Sequence, residues 1–286
     1  MTEAPESAPA ADSPWTAPTS LSPSRVESFL SCPLAFRFSS IEKLPDLPSV
    51  AATRGSLVHR ALELLFVELA PNRTPDALDR SVERAITEYR TDPDFTLLAL
   101  DDKQTAVFDH ECRQLAANYL TMEDPKAIRD IGLELRLEAP VGKLTLRGII
   151  DRLELDADGE LIVTDYKTGR APSPNWERKS LSGLNFYAFL CESIFGRRPA
   201  AIRLMYLKSG ETITATPSAQ STKFLITRTS AVYKAVVAAC ERNDFRPRQS
   251  ALCNYCSYQQ WCPEFGGNPS LAATEAPVVL GQAALA

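Results

Sequence analysis

The sequence predicts a mixed α/β domain with a helical N-terminal portion and a cysteine-rich C-terminal segment. Apolar residues recur at helical spacing between residues 21 and 121, and from Ile131 they alternate with polar residues, as in a strand. Helix and strand patterns then follow each other as far as residue 241. This order is typical of a mixed sheet flanked by helices.

Four helices are predicted before the first strand. Ser22 is suited to cap the first of them, because its hydroxyl can accept a hydrogen bond from the first turn, where Pro23 also fits. Thr74-Pro75-Asp76 begins the third helix. The predicted ranges are about 22–30, 53–69, 74–89 and 101–121.

A three-stranded meander follows these helices. Its first strand carries apolar residues at every second position, and Asp156-Ala157-Asp158-Gly159 is suited to the turn between the second and third strands. The alternating apolar residues are Ile131, Leu133, Leu135 and Leu137. The predicted strands cover 131–137, 143–155 and 160–167, followed by a helix over 178–195, a strand over 200–208 and a helix over about 218–241.

The two ends of the chain are rich in small residues and proline, which predicts disordered tails over 1–20 and 266–286 around one domain of residues 21–265. No apolar run approaches the roughly 18 residues that cross a bilayer. The first residues also lack the basic and apolar segments of a secretory signal. We therefore expect a cytoplasmic protein that has no membrane partner.

The formal net charge of −5 does not argue against a nucleic-acid partner. Acidic residues near the two ends account for this charge, and neither residues 1–20 nor residues 264–286 contain Lys or Arg. The stretch between them is therefore close to neutral. A neutral domain with local basic patches can bind DNA, although charge alone does not show that it does.

The strongest catalytic signal is a pair of motifs on neighbouring predicted strands. Gly148-Ile149-Ile150-Asp151-Arg152 is followed by Asp165-Tyr166-Lys167-Thr168-Gly169. Asp165 and Lys167 lie two residues apart on a strand, so their side chains point to the same face, about 6–7 Å apart. Burying them beyond the apolar Leu161 and Val163 is costly unless they are paired or bound to a metal.

Phosphodiester hydrolysis explains this arrangement. The reaction needs a hard divalent cation, held by carboxylate oxygens, that polarises the phosphate and acidifies a water molecule. It also needs a positive group to orient that water and offset developing charge. Asp151 and Asp165 would hold the metal, and Lys167 would position the water. A surface ion pair between Asp165 and Lys167 is the alternative interpretation, since Asp-x-Lys alone is a weak signal.

The chain contains two histidines, His59 and His110. A lone histidine is more often a structural residue than a ligand, and we interpret His110 in this way. His59 follows Gly55-Ser56-Leu57-Val58 at the start of an apolar helical run. It becomes a candidate ligand only through the motifs that accompany it.

Four of the seven cysteines suggest a metal site. The other three fall within predicted helices and are interpreted as small core residues; they are Cys112, Cys191 and Cys240. The remaining four are Cys32, Cys253, Cys256 and Cys262. Thiolates suit an iron–sulfur cluster or zinc, and both remain open, although three close cysteines and one remote one favour iron and sulfur. Either would clamp the two ends of the domain together, and a redox role is a further alternative.

Together these motifs resemble the RecB-like nucleases, a branch of the PD-(D/E)XK superfamily that carries an iron–sulfur cluster. The branch includes the nuclease domains of AddAB-type recombination enzymes and the CRISPR-adaptation exonucleases. The matching segments occur in the family's order along nearly all of residues 21–265. They are Ser22-Pro23-Ser24 through Cys32-Pro33, Gly55-x2-Val58-His59, Gly148-x2-Asp151-Arg152, Asp165-Tyr166-Lys167-Thr168-Gly169, Phe186-Tyr187 and Cys253-x2-Cys256-x5-Cys262.

The resemblance implies a restriction-endonuclease-like core with a mixed central sheet, and a metal-dependent DNA nuclease. It implies that Mg²⁺ or Mn²⁺ is bound by His59, Asp151, Asp165 and the backbone carbonyl of Tyr166, and that Lys167 is catalytic. It also implies a 4Fe–4S cluster on Cys32, Cys253, Cys256 and Cys262.

Glu134 resembles the acidic residue that the family often has on the strand before its first aspartate. It would act behind the metal ligands or at a second metal. A solvent-exposed position is the alternative, because its neighbours on the same face are Arg136 and Glu138.

The chain departs from the family at one position. The family usually has a glutamine four residues before the tyrosine of its late helix, whereas Gly183 precedes Tyr187 here. This change affects a residue that helps arrange the site or the DNA. Tyr187 itself is expected beside the metal ligands or in the core.

Basic residues around these motifs are expected to contact DNA phosphates, which would give salt-dependent binding with little sequence preference. They are Arg170, Arg178, Lys179, Arg246 and Arg248. An ordinary solvated surface is an equal alternative for each of them. Trp176 and Tyr187 are candidates for stacking on a base.

Three functions are consistent with the sequence. The first is a DNA exonuclease of repair or recombination, with endonuclease cleavage left open as a second mode. The second is a catalytically weak DNA-binding iron–sulfur module that acts with a helicase or repair partner. The third is an iron–sulfur redox protein. Asp151, Asp165 and Lys167 favour the first, and since no Gly-x4-Gly-Lys-Ser/Thr loop is present, any helicase motor would belong to a partner.

Overall fold

The computed structural model of the protein describes residues 14–172 and 174–283, and the side chains of residues 14–172 and 183–280. Its helices are α1 Pro23–Ser31, α2 Pro33–Phe36, α3 Val50–Val67, α4 Pro75–Tyr89, α5 Pro93–Thr96, α6 Asp102–Tyr119, α7 Pro174–Phe195, α8 Ala219–Arg242 and α9 Ala272–Ala283. Its strands are β1 Ser20–Leu21, β2 Arg129–Val141, β3 Leu144–Leu155, β4 Leu161–Lys167, β5 Ala201–Tyr206 and β6 Glu211–Ala215.

The predicted fold class is confirmed: a mixed sheet is flanked by helices. Each helix and strand predicted from the sequence is present with ends that differ by a few residues. Ser22 caps α1, since its side chain accepts a hydrogen bond from the N–H of Arg25, and Pro23 occupies the first turn. Five elements that we did not predict complete the fold, namely the short helices α2 and α5, the strands β1 and β6, and α9.

The six-stranded sheet branches at β3. The meander is confirmed, because β3 pairs antiparallel with both β2 and β4. β2 occupies one edge of β3, while β1 and β4 share the other edge, where they pair with residues 145–146 and 152–155. β4 also pairs parallel with β5, and β6 is antiparallel to β5.

Each face of the sheet covers its own hydrophobic core. On β5, Leu204 and Tyr206 belong to the core that includes residues of α1, α7 and α8, whereas Met205 belongs to the core of α3, α4 and α6. Successive strand residues point to opposite faces, so a strand between two helical layers is apolar throughout. β4 follows this rule over Leu161–Val163, and its polar residues Thr164 and Asp165 are also buried.

The structure differs from the predicted tails at both ends. Ser20 is buried in β1, and Trp15 packs on the first core, so the ordered chain begins before Leu21. At the other end α9 spans part of the predicted tail, and it buries Ala272 and Ala276. Small side chains allow this helix to pack closely without a large apolar stripe, and its composition therefore looks like that of a disordered segment. The predicted disorder of residues 1–13 lies outside the described residues.

No helix within the described residues is both long enough and apolar enough to span a membrane.

Candidate active site

The end of β4 carries the Asp165 and Lys167 pair. Leu161 and Val163 fill the core on the same face of the strand. Asp165 is 3% exposed, and its carboxylate forms an ion pair with the ammonium of Lys167. Tyr187 of α7 donates a hydrogen bond from its hydroxyl to Asp165 Oδ1 at 3.0 Å. Asp165 is therefore held from two sides at the edge of an apolar face.

The peptide of Tyr166 connects the other two predicted ligands. Its N–H donates to Asp151 Oδ2 at 2.7 Å, and its carbonyl oxygen lies 3.0 Å from Nε2 of His59. His59 Nδ1 lies 3.4 Å from the same oxygen of Asp151. The structure thus brings together His59 from α3, Asp151 from β3 and the carbonyl between Asp165 and Lys167.

Glu134 belongs to the same cluster. Leu133 faces Arg152 and Leu135 faces Ile150 across β2 and β3, which places Glu134 opposite Asp151. Among the described residues, His59, Glu134 and Asp151 offer ligand atoms that all lie within 4.8 Å of one another. Glu134 has a φ of 43°, a left-handed conformation that costs energy for any residue with a side chain. The structure thus places Glu134 half-buried in this cluster rather than with the exposed Arg136 and Glu138.

The cluster has the electrostatics of a site that attracts a cation. Burial, and then the nearby Asp165, raise the pKa of Asp151 to about 7. Burial and Asp151 raise the pKa of Glu134 to about 7. Burial lowers the pKa of His59, so the ring is a neutral potential ligand. Carboxylates that resist ionisation because they crowd one another are stabilised by a divalent cation.

Lys167 keeps its positive charge in this environment. Burial would lower its pKa, but the carboxylate of Asp165 outweighs this effect and the pKa is raised. Its side chain is 44% exposed, in contrast to the nearly buried Asp165. The ammonium can therefore meet a substrate while it remains paired to the strand.

Two glycines of the motifs allow helices to approach the site. A Cβ on Gly148 would come within 2.8 Å of Leu190 on α7 and 3.4 Å of the Tyr187 ring. A Cβ on Gly55 would lie 3.2 Å from Thr168 Oγ1, directly after β4. These glycines let α7 and α3 bring Tyr187 and His59 against the strands.

A cavity of about 600 Å³ opens beside Lys167 and Tyr187. Its other lining residues include the start of α1 and the outer face of the β2–β3 pair, where Arg136 faces Ile149 and Arg147 faces Glu138. Arg136 is exposed, and Arg147 forms an ion pair with Glu138 at 3.0 Å. Sequence reasoning missed both arginines, although their spacing from Glu134 and Asp151 places them on the same face of each strand.

Of the basic residues predicted to contact DNA, the three with described side chains, Arg170, Arg246 and Arg248, do not line this cavity. Arg170 is exposed after β4, and Arg246 pairs with Asp244 at 3.1 Å. Arg248 donates to the carbonyl of Leu30 and lines a different cavity. Arg178, Lys179 and Trp176 have side chains outside the described residues. His110 is exposed on α6.

The four remaining cysteines line one cavity of about 440 Å³, which joins the end of α1 to the segment after α8. They are Cys32, Cys253, Cys256 and Cys262. Burial and the other three thiols raise the pKa of Cys256. The three cysteines predicted to be core residues are buried in α6, α7 and α8, as expected.

Three comparisons relate the chain to known proteins. Residues 20–263 match the model of the PD-(D/E)XK nuclease superfamily. The Gene 69 protein of Mycobacterium phage L5 is 22% identical over 288 residues, which cover 85% of this chain and 95% of the phage protein.

Two solved structures are also similar. A Eubacterium rectale protein named "Putative exonuclease" shares 8% identity, with a TM-score of 0.49 and coverage of 83% of this chain and 87% of that one. The structure of the protein SSO0001 shares 13% identity, with a TM-score of 0.40 and coverage of 86% of both chains.

The family match spans the whole sheet, from β1 to β6, together with the cysteine segment as far as Pro263. It therefore includes every member of the cluster around the Tyr166 peptide. The chain belongs to the PD-(D/E)XK nuclease superfamily, whose members are metal-dependent nucleases.

Proposed function

We propose that the protein is a DNA exonuclease of the RecB-like branch that acts in repair or recombination with Mg²⁺ or Mn²⁺. One observation carries the proposal. His59, Asp151 and the Tyr166 carbonyl meet at one point, beside the Asp165–Lys167 pair. This donor set of carboxylate and carbonyl oxygens with one neutral imidazole fits a hard divalent cation.

Each residue of the site has its own role in the proposed hydrolysis. His59, Asp151, Asp165 and the Tyr166 carbonyl hold the metal, and Glu134 adds a further carboxylate to the cluster. The bound metal supplies Lewis-acid activation of the scissile phosphate and of a water molecule. Lys167 orients that water and offsets the charge that develops on the phosphate. Tyr187 fixes Asp165 by its hydrogen bond, so that one carboxylate oxygen keeps a set direction.

DNA fits the cavity beside Lys167. Arg136 and Arg147 lie on the face of β2 and β3 that continues from Glu134 and Asp151. A DNA strand along this face would meet the positive charge of Arg136 beside the ion pair of Arg147 and Glu138. Ile149 lies between them and is 42% exposed, which offers an apolar surface to a sugar or base. The arginine contacts would be to the phosphates, and an apolar contact from Ile149 would not distinguish bases by hydrogen bonds, so DNA would be bound with little sequence preference.

Nuclease assays on purified protein test this function. We expect Asp165→Asn and Lys167→Met each to lower the Mg²⁺-dependent cleavage rate by about 100-fold or more, the usual scale for removing one electrostatic group from an active site. Asp158→Asn and Lys208→Met make the same changes at exposed positions and should leave the rate unchanged. Equal cleavage by all four variants would show that the site is misassigned.

Linear and closed circular single-stranded DNA distinguish the modes of cleavage. An exonuclease requires an end, so we expect the linear strand to be degraded and the circle to persist. Cleavage of both substrates at similar rates would show that the protein acts as an endonuclease and not as an exonuclease.

We also propose a 4Fe–4S cluster on Cys32, Cys253, Cys256 and Cys262. All four cysteines line one cavity, and three close cysteines with one remote one favour an iron–sulfur cluster over zinc. Iron content and visible absorbance after anaerobic purification test the assignment.

A catalytically weak DNA-binding module that acts with a helicase is the second candidate, and Gly183 favours it. A Cβ added at Gly183 would meet no atom within 4 Å, and residue 183 lies one helical turn before Tyr187. Gly183→Ala and Gly183→Gln should both stabilise α7, by about 0.5–1 kcal/mol, because glycine is a poor helix former.

Only glutamine also adds an amide near the site, so we expect Gly183→Gln to cleave faster than Gly183→Ala. Comparison of their cleavage rates at saturating Mg²⁺ is the measurement. Equal rates would show that the missing amide does not limit this protein.

A further inference from the structure

A buried arginine lies beneath the cluster of His59, Glu134 and Asp151, and the proposed chemistry does not use it. Arg152 follows Asp151 on β3 and is 0% exposed. Its guanidinium pairs with Glu154 at 2.6 Å and with Glu123, and it lies 4.6 Å from the centre of the Phe66 ring. A fully buried charge requires partners of this kind, and here two carboxylates and an aromatic face supply them.

Charge balance does not account for all of the contacts. Nη1 of Arg152 also donates to the hydroxyl of Tyr166 at 2.7 Å and to that of Tyr119 at 3.3 Å. Tyr119 in turn donates to Glu123 at 2.7 Å. The arginine therefore joins β3 and β4 to the residues at the end of α6.

Tyr166 is the link between this network and the site. Its side chain is buried on the face opposite Asp165, with the ring edge-on to Tyr119 and His59 at 5.9 and 6.0 Å. Its peptide supplies the N–H that Asp151 accepts and the carbonyl beside His59. A shift of the Tyr166 side chain would therefore move the N–H that holds Asp151 and the carbonyl that lies beside His59.

We infer that Arg152 is a positioning residue that fixes the Tyr166 peptide and thereby sets the affinity of the site for its divalent metal. Partners that orient metal ligands typically change metal affinity about 10–100-fold when they are removed. The inference rests on the proposed metal site, but it concerns how tightly that site binds rather than whether it cleaves DNA.

Two matched tyrosine variants test the inference. Tyr166→Phe and Tyr119→Phe each remove one hydroxyl from Arg152, but only Tyr166 carries the metal-binding peptide. The apparent Mg²⁺ affinity can be measured without DNA, from the increase of Tm with Mg²⁺ concentration relative to EDTA. We expect Tyr166→Phe to weaken this affinity about 10-fold or more and Tyr119→Phe to change it less than about twofold.

The metal-free Tm is the control for a merely structural role. Both variants should lower it, since both leave the buried guanidinium with one hydrogen bond fewer, and Tyr119→Phe also removes the donor to Glu123. Arg152→Lys keeps the charge but cannot reach all its partners at once, and it should behave like Tyr166→Phe. Unchanged Mg²⁺ affinity in Tyr166→Phe and Arg152→Lys would overturn the inference. If the wild type itself shows no Mg²⁺-dependent Tm increase, the proposed metal site fails instead.

Discussion

Glu134 combines a costly backbone conformation with a costly charge. Its positive φ places a side chain where glycine would be relaxed, and its carboxylate faces Asp151 in a half-buried cluster. Strain of about 1–3 kcal/mol at such a residue persists only where the surrounding structure imposes it. Here the left-handed turn within β2 brings the carboxylate towards His59 and Asp151, which suggests that stability is given up for metal binding.

Substitution of Glu134 separates these two costs. Glu134→Gly and Glu134→Ala both remove the like charge, but only glycine also relaxes the backbone. We expect the glycine variant to be more stable than the alanine variant by about 1 kcal/mol in EDTA. Both should bind Mg²⁺ more weakly than the wild type, because both lack the carboxylate.

Urea unfolding in EDTA, and Tm against Mg²⁺ concentration, measure the two effects of the Glu134 substitutions. At an ordinary strand position a glycine variant is less stable than an alanine variant, which is the reverse of the order expected here. An alanine variant as stable as the glycine variant would therefore contradict the left-handed backbone at residue 134.

At the scale of elements, α9 shows how a helix with few large residues becomes part of a core. Ala272 and Ala276 are 0% exposed and lie one turn apart, so the helix backbone approaches the cysteine segment closely. Trp261 of that segment donates from its indole N–H to Glu275 at 2.8 Å. Gly267, which precedes α9, packs directly on the backbone of the cysteine segment, because a Cβ there would lie 2.1 Å from the carbonyl oxygen of Gln260.

Overpacking of α9 tests this contact. Ala276→Leu inserts three carbons where none fit, and we expect it to lower the free energy of unfolding by about 1–3 kcal/mol. Ala273→Leu makes the same change at an exposed position of the helix and should have little effect. Chemical unfolding of both variants is the measurement. Equal stability of the two would indicate that α9 does not pack on the core in solution.

The elements that could be predicted from the sequence are those whose own residues carry the signal. Ser22 and Pro23 begin α1, and the alternation from Ile131 to Leu137 marks β2, because caps and period-two patterns are local. β1 has only two residues, which is too short to show any pattern. The composition of α9 gives no amphipathic pattern, since alanine packing depends on the surface it meets.

The same distinction applies to the site. Asp165 and Lys167 could be placed on one face by strand periodicity, and the structure pairs them. Asp151 could be assigned to the same metal as Asp165 from the two motifs, whereas His59 and the Tyr166 carbonyl are added by the resemblance alone, since spacing does not show that α3 crosses the end of β4. The position of Arg152 beneath Tyr166 depends on three-dimensional packing between β3, β4 and α6 and could not be read from local patterns.

At the scale of the molecule, the two ends of the domain meet around the four cysteines. Contacts other than the cysteines also join them: Tyr258 donates to the carbonyl of Leu44 at 3.3 Å, and Ser257 accepts from the N–H of Leu47 at 3.3 Å. Arg37 donates to the carbonyl of Pro269 at 3.0 Å. The proposed 4Fe–4S cluster would therefore reinforce an interface that the polypeptide already forms, whereas the candidate active site lies on α3, β2, β3 and β4.

Loss of one cysteine ligand of the proposed 4Fe–4S cluster should therefore destabilise the protein without altering the residues of the candidate active site. Closing a loop of more than two hundred residues removes on the order of 5 kcal/mol of unfolded-state entropy, which sets an upper scale for the effect. We expect Cys256→Ser to lose the bound iron and to lower Tm by several degrees or more. At a temperature well below its Tm, the folded fraction should still bind Mg²⁺ as the wild type does.

Cys112 provides the control, because it is a buried cysteine on the other side of the sheet, in the core of α3, α4 and α6. Cys112→Ser places a hydroxyl in an apolar environment and should lower Tm while iron is retained. Iron content, Tm and the Mg²⁺-dependent Tm increase are measured for both variants. A Cys256→Ser protein that lost its iron but melted at the wild-type temperature would show that polypeptide contacts alone hold the ends together, and the cluster would then need a role other than structural support.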